Sequence, residues 1–262
     1  MSHMSVDDLT SLSSQRQACS AANTQFQNFD HNMMGYGPEG SNEQIPRMIQ
    51  GAAEIALEFG SEPTGKNSLD VIVNVTNTRV GHKFPTDSPL RHLILVVEVV
   101  DRIQTPLMQV GGDQIPNWAG PGPVTPIEHV RTLETAGVED FSGRPGRVFA
   151  NLLVEEETNL SPGMAYWNET KYAFIDSTNG TNSDTRLRPR QTDTSIYSFT
   201  MPDEGEVTVT VKLVYRFSFY DLLVWKEWFN RDRADIVVTT MQCKGPPTQP
   251  EILRQSCIQI QP

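Results

Sequence analysis

The sequence lacks the long apolar runs and the cysteine motifs that would place it in several large protein classes. No stretch of about 18 consecutive apolar residues occurs, which excludes a transmembrane helix. No C-x-x-C pair occurs among the 262 residues, which excludes a four-cysteine zinc site and covalent c-type haem attachment within this chain. The G-x-S-x-G, H-E-x-x-H, P-loop and dinucleotide-binding motifs are absent too, so the sequence carries no signature of the common hydrolases or nucleotide-binding enzymes.

Positive charge is also scarce. Lys and Arg number 21 against 32 for Asp and Glu, which gives a formal net charge of −11. Such a chain repels a phosphate backbone, so nucleic acid is not an expected partner. Hydrophobic residues make up 37% and charged residues 20%, which is typical of a globular domain with a buried core.

The composition divides the chain into four parts. Residues 1–4 look like an expression-vector remnant, and no signal peptide follows them. Residues 5–66 are predicted to be an arm and a helix that pack on a β domain at residues 67–242, with a tail at residues 243–262. The helix is predicted from the N-cap residue Asn42 to the terminator Gly60, with apolar residues at positions 45, 48, 49, 52, 53, 56 and 57 on one face.

Beyond residue 66 the apolar residues alternate with a period of two, which is typical of β-strands. The predicted strands are 69–77, 93–101, 147–155, 166–174, 194–201, 206–219 and 236–241, with 105–110 as a hairpin partner of 93–101. Residues 111–146 are rich in Gly and Pro and are predicted to form a long surface loop. The expected fold is mainly β: an antiparallel Ig-like β-sandwich with one N-terminal amphipathic helix and long loops.

The three cysteines leave two interpretations open. Cys243 and Cys257 flank a stretch containing Gly245, Pro246 and Pro247, and such a turn-rich stretch allows a disulfide in an oxidising compartment. The alternative is two unrelated buried thiols. Cys19 has no assigned partner.

Four segments, in chain order, carry a family resemblance. They are Asp30-His31-Asn32-Met33-Met34-Gly35; Asn74 to Thr86, with Gly81-His82-Lys83-Phe84-Pro85-Thr86 at its end; Arg147-Val148-Phe149-Ala150 followed by Ala165-Tyr166-Trp167; and Asp184-Thr185-Arg186-Leu187-Arg188-Pro189, which precedes Tyr197-Ser198-Phe199 and Tyr215-Arg216. Together they resemble the C-terminal β-sandwich region of bacterial multihaem c-type cytochromes, over roughly residues 29–241. Two features depart from that pattern: Asp87 stands where the family usually has Gly, and the C-x-x-C-H motifs are missing.

The resemblance implies a non-catalytic accessory domain of an exported multihaem electron-transfer protein, which buttresses haems or docks partners. It implies haem c in a longer parent protein and none within this chain. The expected partner is a haem-bearing domain or a redox partner protein, and the expected location is the periplasm or the extracellular space.

Two histidines are candidate distal haem ligands in such a parent. His82 lies at a predicted strand end between Gly81 and Pro85, and imidazole is a good axial ligand of iron. His31 lies beside Met33 and Met34, and this trio would suit iron or copper. The alternatives are a loop histidine bonded to backbone for His82 and a solvated side chain for His31. His92 and His129 are read as structural.

Other residues are candidates for partner binding. Trp225 and Trp228 would suit stacking on a sugar or a protein, or would instead cap the open end of the sandwich. Arg186 and Arg188 alternate with apolar residues and could meet a carboxylate-rich partner or a haem propionate, or form ordinary surface salt bridges.

Two further functions stay open on the sequence. A haem-free extracellular module that binds glycan or protein would use the Trp225–Trp228 region and the loop at 111–146. An unrecognised hydrolase is the weaker alternative, so the sequence favours a non-enzyme without deciding the point. Asp184, Asp193 and Asp203 offer oxygen ligands for calcium but lack EF-hand spacing.

Overall fold

Two antiparallel sheets face each other across a hydrophobic core in the computed structural model of this chain. The structure describes residues 49–60, 68–85, 89–119, 139–155, 170–172, 184–202, 205–219 and 235–260. The strands are β1 (Ala53–Phe59), β2 (Ser68–Asn77), β3 (His92–Val100), β4 (Gln109–Gly111), β5 (Gly146–Ala150), β6 (Leu153–Glu155), β7 (Thr170–Tyr172), β8 (Thr192–Thr200), β9 (Val207–Arg216), β10 (Asp235–Gly245) and β11 (Ile258–Ile260). Among the described residues, a short α-helix, α1, spans Pro250–Gln255, and a 3-10 helix spans Asn117–Ala119.

The strand order explains how distant parts of the sequence meet. One sheet has the order β1-β2-β8-β4, the other has the order β11-β10-β9-β3-β5, and β6 and β7 form a separate hairpin. Every pairing is antiparallel. The predicted antiparallel β-sandwich is therefore confirmed.

The core lies between the inward faces of the two sheets. Alternate residues of β2 and β9 point into it, as their period of two predicts. These are Leu69, Val71, Val73 and Val75 on β2, and Val207, Val209, Val211, Leu213 and Tyr215 on β9. Each full burial of such a side chain contributes roughly 1.5–3 kcal/mol, so this alternation is the main source of stability of the sandwich.

β3 is buried on both faces, which accounts for its unbroken apolar run. Leu93 and Leu95 point into the sandwich core. Ile94 and Val96 point the other way, into a second apolar cluster with Ile115. That cluster lies on the outer face of the five-stranded sheet, where the chain around residues 115–119 and 141–146 covers it.

The predicted N-terminal helix is wrong over residues 53–59, which form β1. Ala53, Ile55 and Leu57 are buried while the residues between them face outward, which is a period of two. Gly51 has a φ of 72°, a left-handed conformation that an α-helix does not continue through. Residues 42–48 of that prediction lie outside the described part of the chain. β1 pairs with β2 along its whole length, so it belongs to the sandwich.

The predicted hairpin at 105–110 is half right. Thr105 and Leu107 bond to the end of β3, because the Asp101 nitrogen donates to the Thr105 carbonyl and the Leu107 nitrogen donates to the Val99 carbonyl. The chain then crosses to the other sheet, where β4 pairs with β8 across an irregular register between Gln109 and Gly111.

Three interactions hold the C-terminal part of the chain against the sandwich. Cys243 and Cys257 form a disulfide. Leu253 of α1 is fully buried in the sandwich core. β11 adds to the free edge of β10 as the last strand of the sheet. Within the described residues no helix is long and apolar enough to cross a membrane.

Candidate functional site: a junction of three segments

A buried asparagine at the end of β2 shapes the loop that follows. Asn77 is fully buried, and its Oδ1 accepts a hydrogen bond from the Val80 nitrogen at 3.0 Å. Its Nδ2 donates to the carbonyl oxygen of His82 at 3.0 Å and to that of Leu187 at 3.1 Å. One side chain therefore fixes the turn that carries His82 and joins it to a segment far away in the sequence.

Phe84 and Leu187 close the contact between those two segments. Their backbones exchange two hydrogen bonds, of 2.8 and 2.9 Å, and form an isolated antiparallel bridge. Both side chains are buried in the sandwich core. The Phe84 ring stacks on the ring of Tyr215, with 6.2 Å between the centroids.

A threonine brings in the third segment. The Thr185 nitrogen donates to the carbonyl of Ala150 at 2.9 Å. The Thr185 hydroxyl accepts from the Ala150 nitrogen at 3.0 Å and lies 3.0 Å from the Val148 carbonyl, to which it donates. The segments 77–85, 147–150 and 184–188 thus meet at one place, which we call the junction.

Asp184 holds two cations at the junction. Its carboxylate accepts two hydrogen bonds from Arg186, at 2.8 and 2.9 Å, and one from Lys83 Nζ at 2.6 Å. Partial burial alone would raise the pKa of Asp184, but the hydrogen bonds and charges of Arg186 and Lys83 outweigh it and hold that pKa well below its usual range. The group is therefore a carboxylate at every physiological pH.

His82 lies on the exposed side of the junction. Its Nδ1 is 3.1 Å from the carbonyl oxygen of Lys83. When Nδ1 carries the proton and donates to that carbonyl, Nε2 carries the lone pair, which is the arrangement usual for metal-bound histidines.

Three exposed arginines lie on the same segments or directly beside them. Arg79 belongs to the loop after β2, and Arg188 and Arg190 belong to the turn before β8. No carboxylate of the described residues forms a salt bridge with any of the three. The junction therefore presents positive charge on a protein whose net charge is −11.

The structure brings together some of the sequence-predicted site residues and not others. His82, Arg186 and Arg188 share the junction, and Arg186 is committed to its ion pair with Asp184. The disulfide Cys243–Cys257 lies on β10 and at the end of α1. The remaining predicted site residues, His31, Trp225 and Trp228, lie outside the described part of the chain.

Two of the three aspartates named as possible calcium ligands form ion pairs with cationic side chains. Asp184 pairs with Lys83 and Arg186, and Asp193 pairs with Arg147 at 3.0 Å. Asp203 lies outside the described residues. Burial raises the pKa of Asp193, and the charge of Arg147 opposes that rise. In the described ranges no three acidic, histidine or cysteine side chains cluster as metal ligands would.

Sequence reasoning missed a second polar centre, on the outer face of the five-stranded sheet. Arg216 is fully buried, pairs with Asp235 at 2.7 Å, and donates to the carbonyl oxygens of Ala119 and Glu139. Those two carbonyls flank residues 120–138, so one guanidinium holds both ends of that long insertion. The pattern that could have revealed it is an arginine at the end of an otherwise apolar strand.

His92 lies next to Arg216 across the β3–β9 ladder, and its structural assignment agrees with its surroundings. The imidazole is packed between Trp118 and Phe219, at centroid distances of 5.5 and 5.3 Å. Its Nδ1 lies 2.9 Å from the Leu90 carbonyl, to which it donates. Desolvation, and secondly the charge of Arg216, lower the pKa of His92 from 6.5 to about 3, so the ring is neutral at physiological pH.

Comparison with known proteins gives limited information. No protein-family model matches the chain, and no curated protein matches it. Among solved structures, a penta-heme cytochrome c552 from Thermochromatium tepidum matches with a TM-score of 0.44 and 18% sequence identity. The match covers 77% of this chain and 41% of that one, so this chain spans less than half of the cytochrome's length.

Proposed function

We propose that this chain is a non-catalytic accessory domain of an exported multihaem electron-transfer protein, and that the junction faces the haem-bearing part. The observation that carries the proposal is that the segments with the family resemblance contact one another in the fold. Three of these segments are far apart in the sequence, yet hydrogen bonds join them to one another. They are residues 77–85, 147–150 and 184–188. Tyr215 of the closing strand stacks on the same group.

His82 is the residue that would contact a haem iron under this proposal. Its exposure and the hydrogen bond at Nδ1 suit a distal ligand for an iron supplied by another polypeptide segment. His31 is the second proposed ligand, from the sequence resemblance alone. The haem would supply the electron-carrying chemistry, and this chain would supply the ligand, the covering surface and the orientation.

Arg186 and Arg188 have different roles in the proposal. Arg188 is exposed and could bond a haem propionate or an acidic partner directly. Arg186, whose side chain is 17% exposed, would act from within its ion pair with Asp184. The disulfide between Cys243 and Cys257 fits the periplasmic or extracellular location that the proposal requires, because disulfides persist in oxidising compartments.

Two measurements test this function. The first is a pyridine-haemochrome spectrum of the polypeptide isolated from its native source, where a c-type signal is expected. A haem-free native polypeptide, with no C-x-x-C-H motif encoded ahead of residue 5, would refute the electron-transfer role.

The second measurement isolates His82. A c-type haem peptide with one open axial position is titrated with the protein, and conversion to the low-spin spectrum is recorded. We expect His82→Ala to weaken the conversion roughly tenfold or more, which corresponds to about 1.4 kcal/mol. His129→Ala is the control: it removes a histidine to which the sequence assigns no ligand role, and it should leave the conversion unchanged. Equal conversion by His82→Ala and the unaltered protein would rule out His82 as the ligand.

A further inference from the structure

The junction concentrates positive charge on an acidic protein. Apart from the ion pair of Arg147 with Asp193, five cationic side chains and one carboxylate of the described residues lie on the junction segments or next to them, so their formal charges sum to about four positive units. The cations are Arg79, Lys83, Arg186, Arg188 and Arg190, and the carboxylate is Asp184. Since the whole chain has a net charge of −11, the rest of the molecule is more acidic than that total indicates.

The cations fall into two sets. Lys83 and Arg186 share the single carboxylate of Asp184, and their side chains are 39% and 17% exposed. Arg79, Arg188 and Arg190 are exposed and form no salt bridge with a described residue. These three are therefore the groups available to an incoming anion.

The backbone beneath the exposed arginines is held by hydrogen bonds. The Arg190 nitrogen donates to the carbonyl of Asn77 at 3.0 Å, and the Gln191 nitrogen donates to the carbonyl of Arg188 at 3.0 Å. The Arg188 nitrogen donates to the Gln191 side chain at 3.0 Å. The Arg79 nitrogen donates to the carbonyl of Ala52 at 3.3 Å. Fixed anchor points reduce the entropy lost when a partner binds.

We propose that this junction face docks an acidic surface of the haem-bearing redox protein, with Arg79, Arg188 and Arg190 pairing with its carboxylates. The guanidinium group is a planar fork whose donors match a carboxylate. This proposal extends the proposed function. It rests on that function for one point only, which is that the partner is a redox protein.

The screening of charges by salt favours a protein partner over a nucleic acid. At physiological salt a charge acts over about 8 Å. A small acidic patch that contacts the junction therefore interacts mainly with the arginines. An extended phosphate backbone would pass along the acidic remainder of the molecule and be repelled by it. The local charge therefore favours a compact acidic surface.

The test uses a fluorescently labelled oligoglutamate peptide as the probe, and anisotropy is measured at about 0.1 M salt. The junction variant is Arg79→Gln, Arg188→Gln and Arg190→Gln together. Each exposed ion pair contributes roughly 0.5 kcal/mol, so losing three should raise Kd roughly tenfold. The matched control is Arg102→Gln, Lys244→Gln and Arg254→Gln, which removes the same charge from exposed positions elsewhere and should leave Kd nearly unchanged.

Each outcome of this experiment decides the proposal. Selective loss in the junction variant, with binding that weakens as salt rises, supports it. Equal loss in both variants, no binding by the unaltered protein, or tighter binding of a single-stranded oligonucleotide of the same charge would overturn it. The assay contains no haem, so a failure here leaves the His82 titration untouched, and a failure of that titration leaves this face standing.

Discussion

The side-chain nitrogen of Asn77 donates to the carbonyl oxygen of Leu187 over 3.1 Å and joins positions that are 110 residues apart. The same nitrogen donates to the carbonyl of His82, and Oδ1 accepts from the Val80 nitrogen. Because Asn77 is fully buried and its hydrogen bonds to Val80 and Leu187 are buried too, those two backbone groups have no water as a ready substitute. The position of His82 therefore depends on a residue that has no contact with solvent.

Asn77→Ala should cost about 3 kcal/mol of unfolding free energy, because it leaves the buried Val80 nitrogen and Leu187 carbonyl, and the partly buried His82 carbonyl, without their partner. The measurement is urea denaturation followed by circular dichroism. Asn74→Ala is the control: that side chain bonds Glu58 and Thr194 on the exposed face of the sheet and should cost less than about 1 kcal/mol. Equal costs for the two variants would contradict the role assigned to Asn77.

The disulfide should stabilise the C-terminal part of the chain. Cys243 and Cys257 are 14 positions apart, and closing a loop of that size contributes about 3 kcal/mol in the chain-entropy account. The double variant Cys243→Ala with Cys257→Ala should lose that amount in urea denaturation, and the amides of β11 should exchange faster. Adding a reductant to the double variant should change nothing, whereas it should destabilise the unaltered protein. Equal stability with and without the disulfide would contradict the prediction.

Protonation of His92 should make stability depend on pH. The unfolded chain binds a proton below a pH of about 6.5, whereas the folded protein resists protonation down to a pH of about 3 because the ring is desolvated and lies near Arg216. The unfolded state therefore binds more protons in this window, so stability falls as the pH falls, by up to about 1.4 kcal/mol per pH unit.

The measurement is the free energy of unfolding between these two pH values, for the unaltered protein and for His92→Gln. The variant should show a shallower slope, since glutamine does not titrate. NMR titration of the folded protein gives an independent check. A His92 ring signal with a midpoint near 6.5 would contradict the prediction.

The sequence predicted most of the strands because their information is local. β2 and β9 alternate strictly, and the buried run of β3 is long and β-branched. β1 was mispredicted because Ala53 and Leu57, four positions apart, satisfy a helical period as well as a strand period. Pairing with β2, which local propensity does not include, decides in favour of the strand.

The sequence also does not reveal how the residues of the junction come together. Its motif residues are recognisable one segment at a time, and His82, Arg186 and Arg188 were identified in that way. Their convergence depends on pairings between distant segments, such as Phe84 with Leu187. Asn77 and Arg216 belong to the segments that carry the resemblance, but their structural roles could not be predicted, because burial of a polar side chain is a property of the packed structure and leaves no period in the sequence.

Arg216 and Asp235 give the strongest expected effect of a single substitution. Arg216→Met leaves the 10% exposed carboxylate of Asp235 without its cation and the carbonyls of Ala119 and Glu139 without their donor. Breaking a buried ion pair from one side costs about 3–5 kcal/mol. Arg144→Met is the control, because that arginine pairs with Glu98 and Glu139 at the surface and should cost less than about 1 kcal/mol.

A second variant separates the charge from the carbonyl contacts. Arg216→Met combined with Asp235→Leu removes the unpaired carboxylate and should recover part of the loss, because an apolar pair avoids the cost of a buried charge. The loss that remains measures the carbonyl contacts of Arg216 with Ala119 and Glu139 together with the hydrogen bond from the Glu139 nitrogen to Asp235. Urea denaturation of the four proteins of this cycle gives both quantities. If the double variant were no more stable than Arg216→Met, the stranded charge would not be the cause, and the two carbonyl contacts would account for the whole effect.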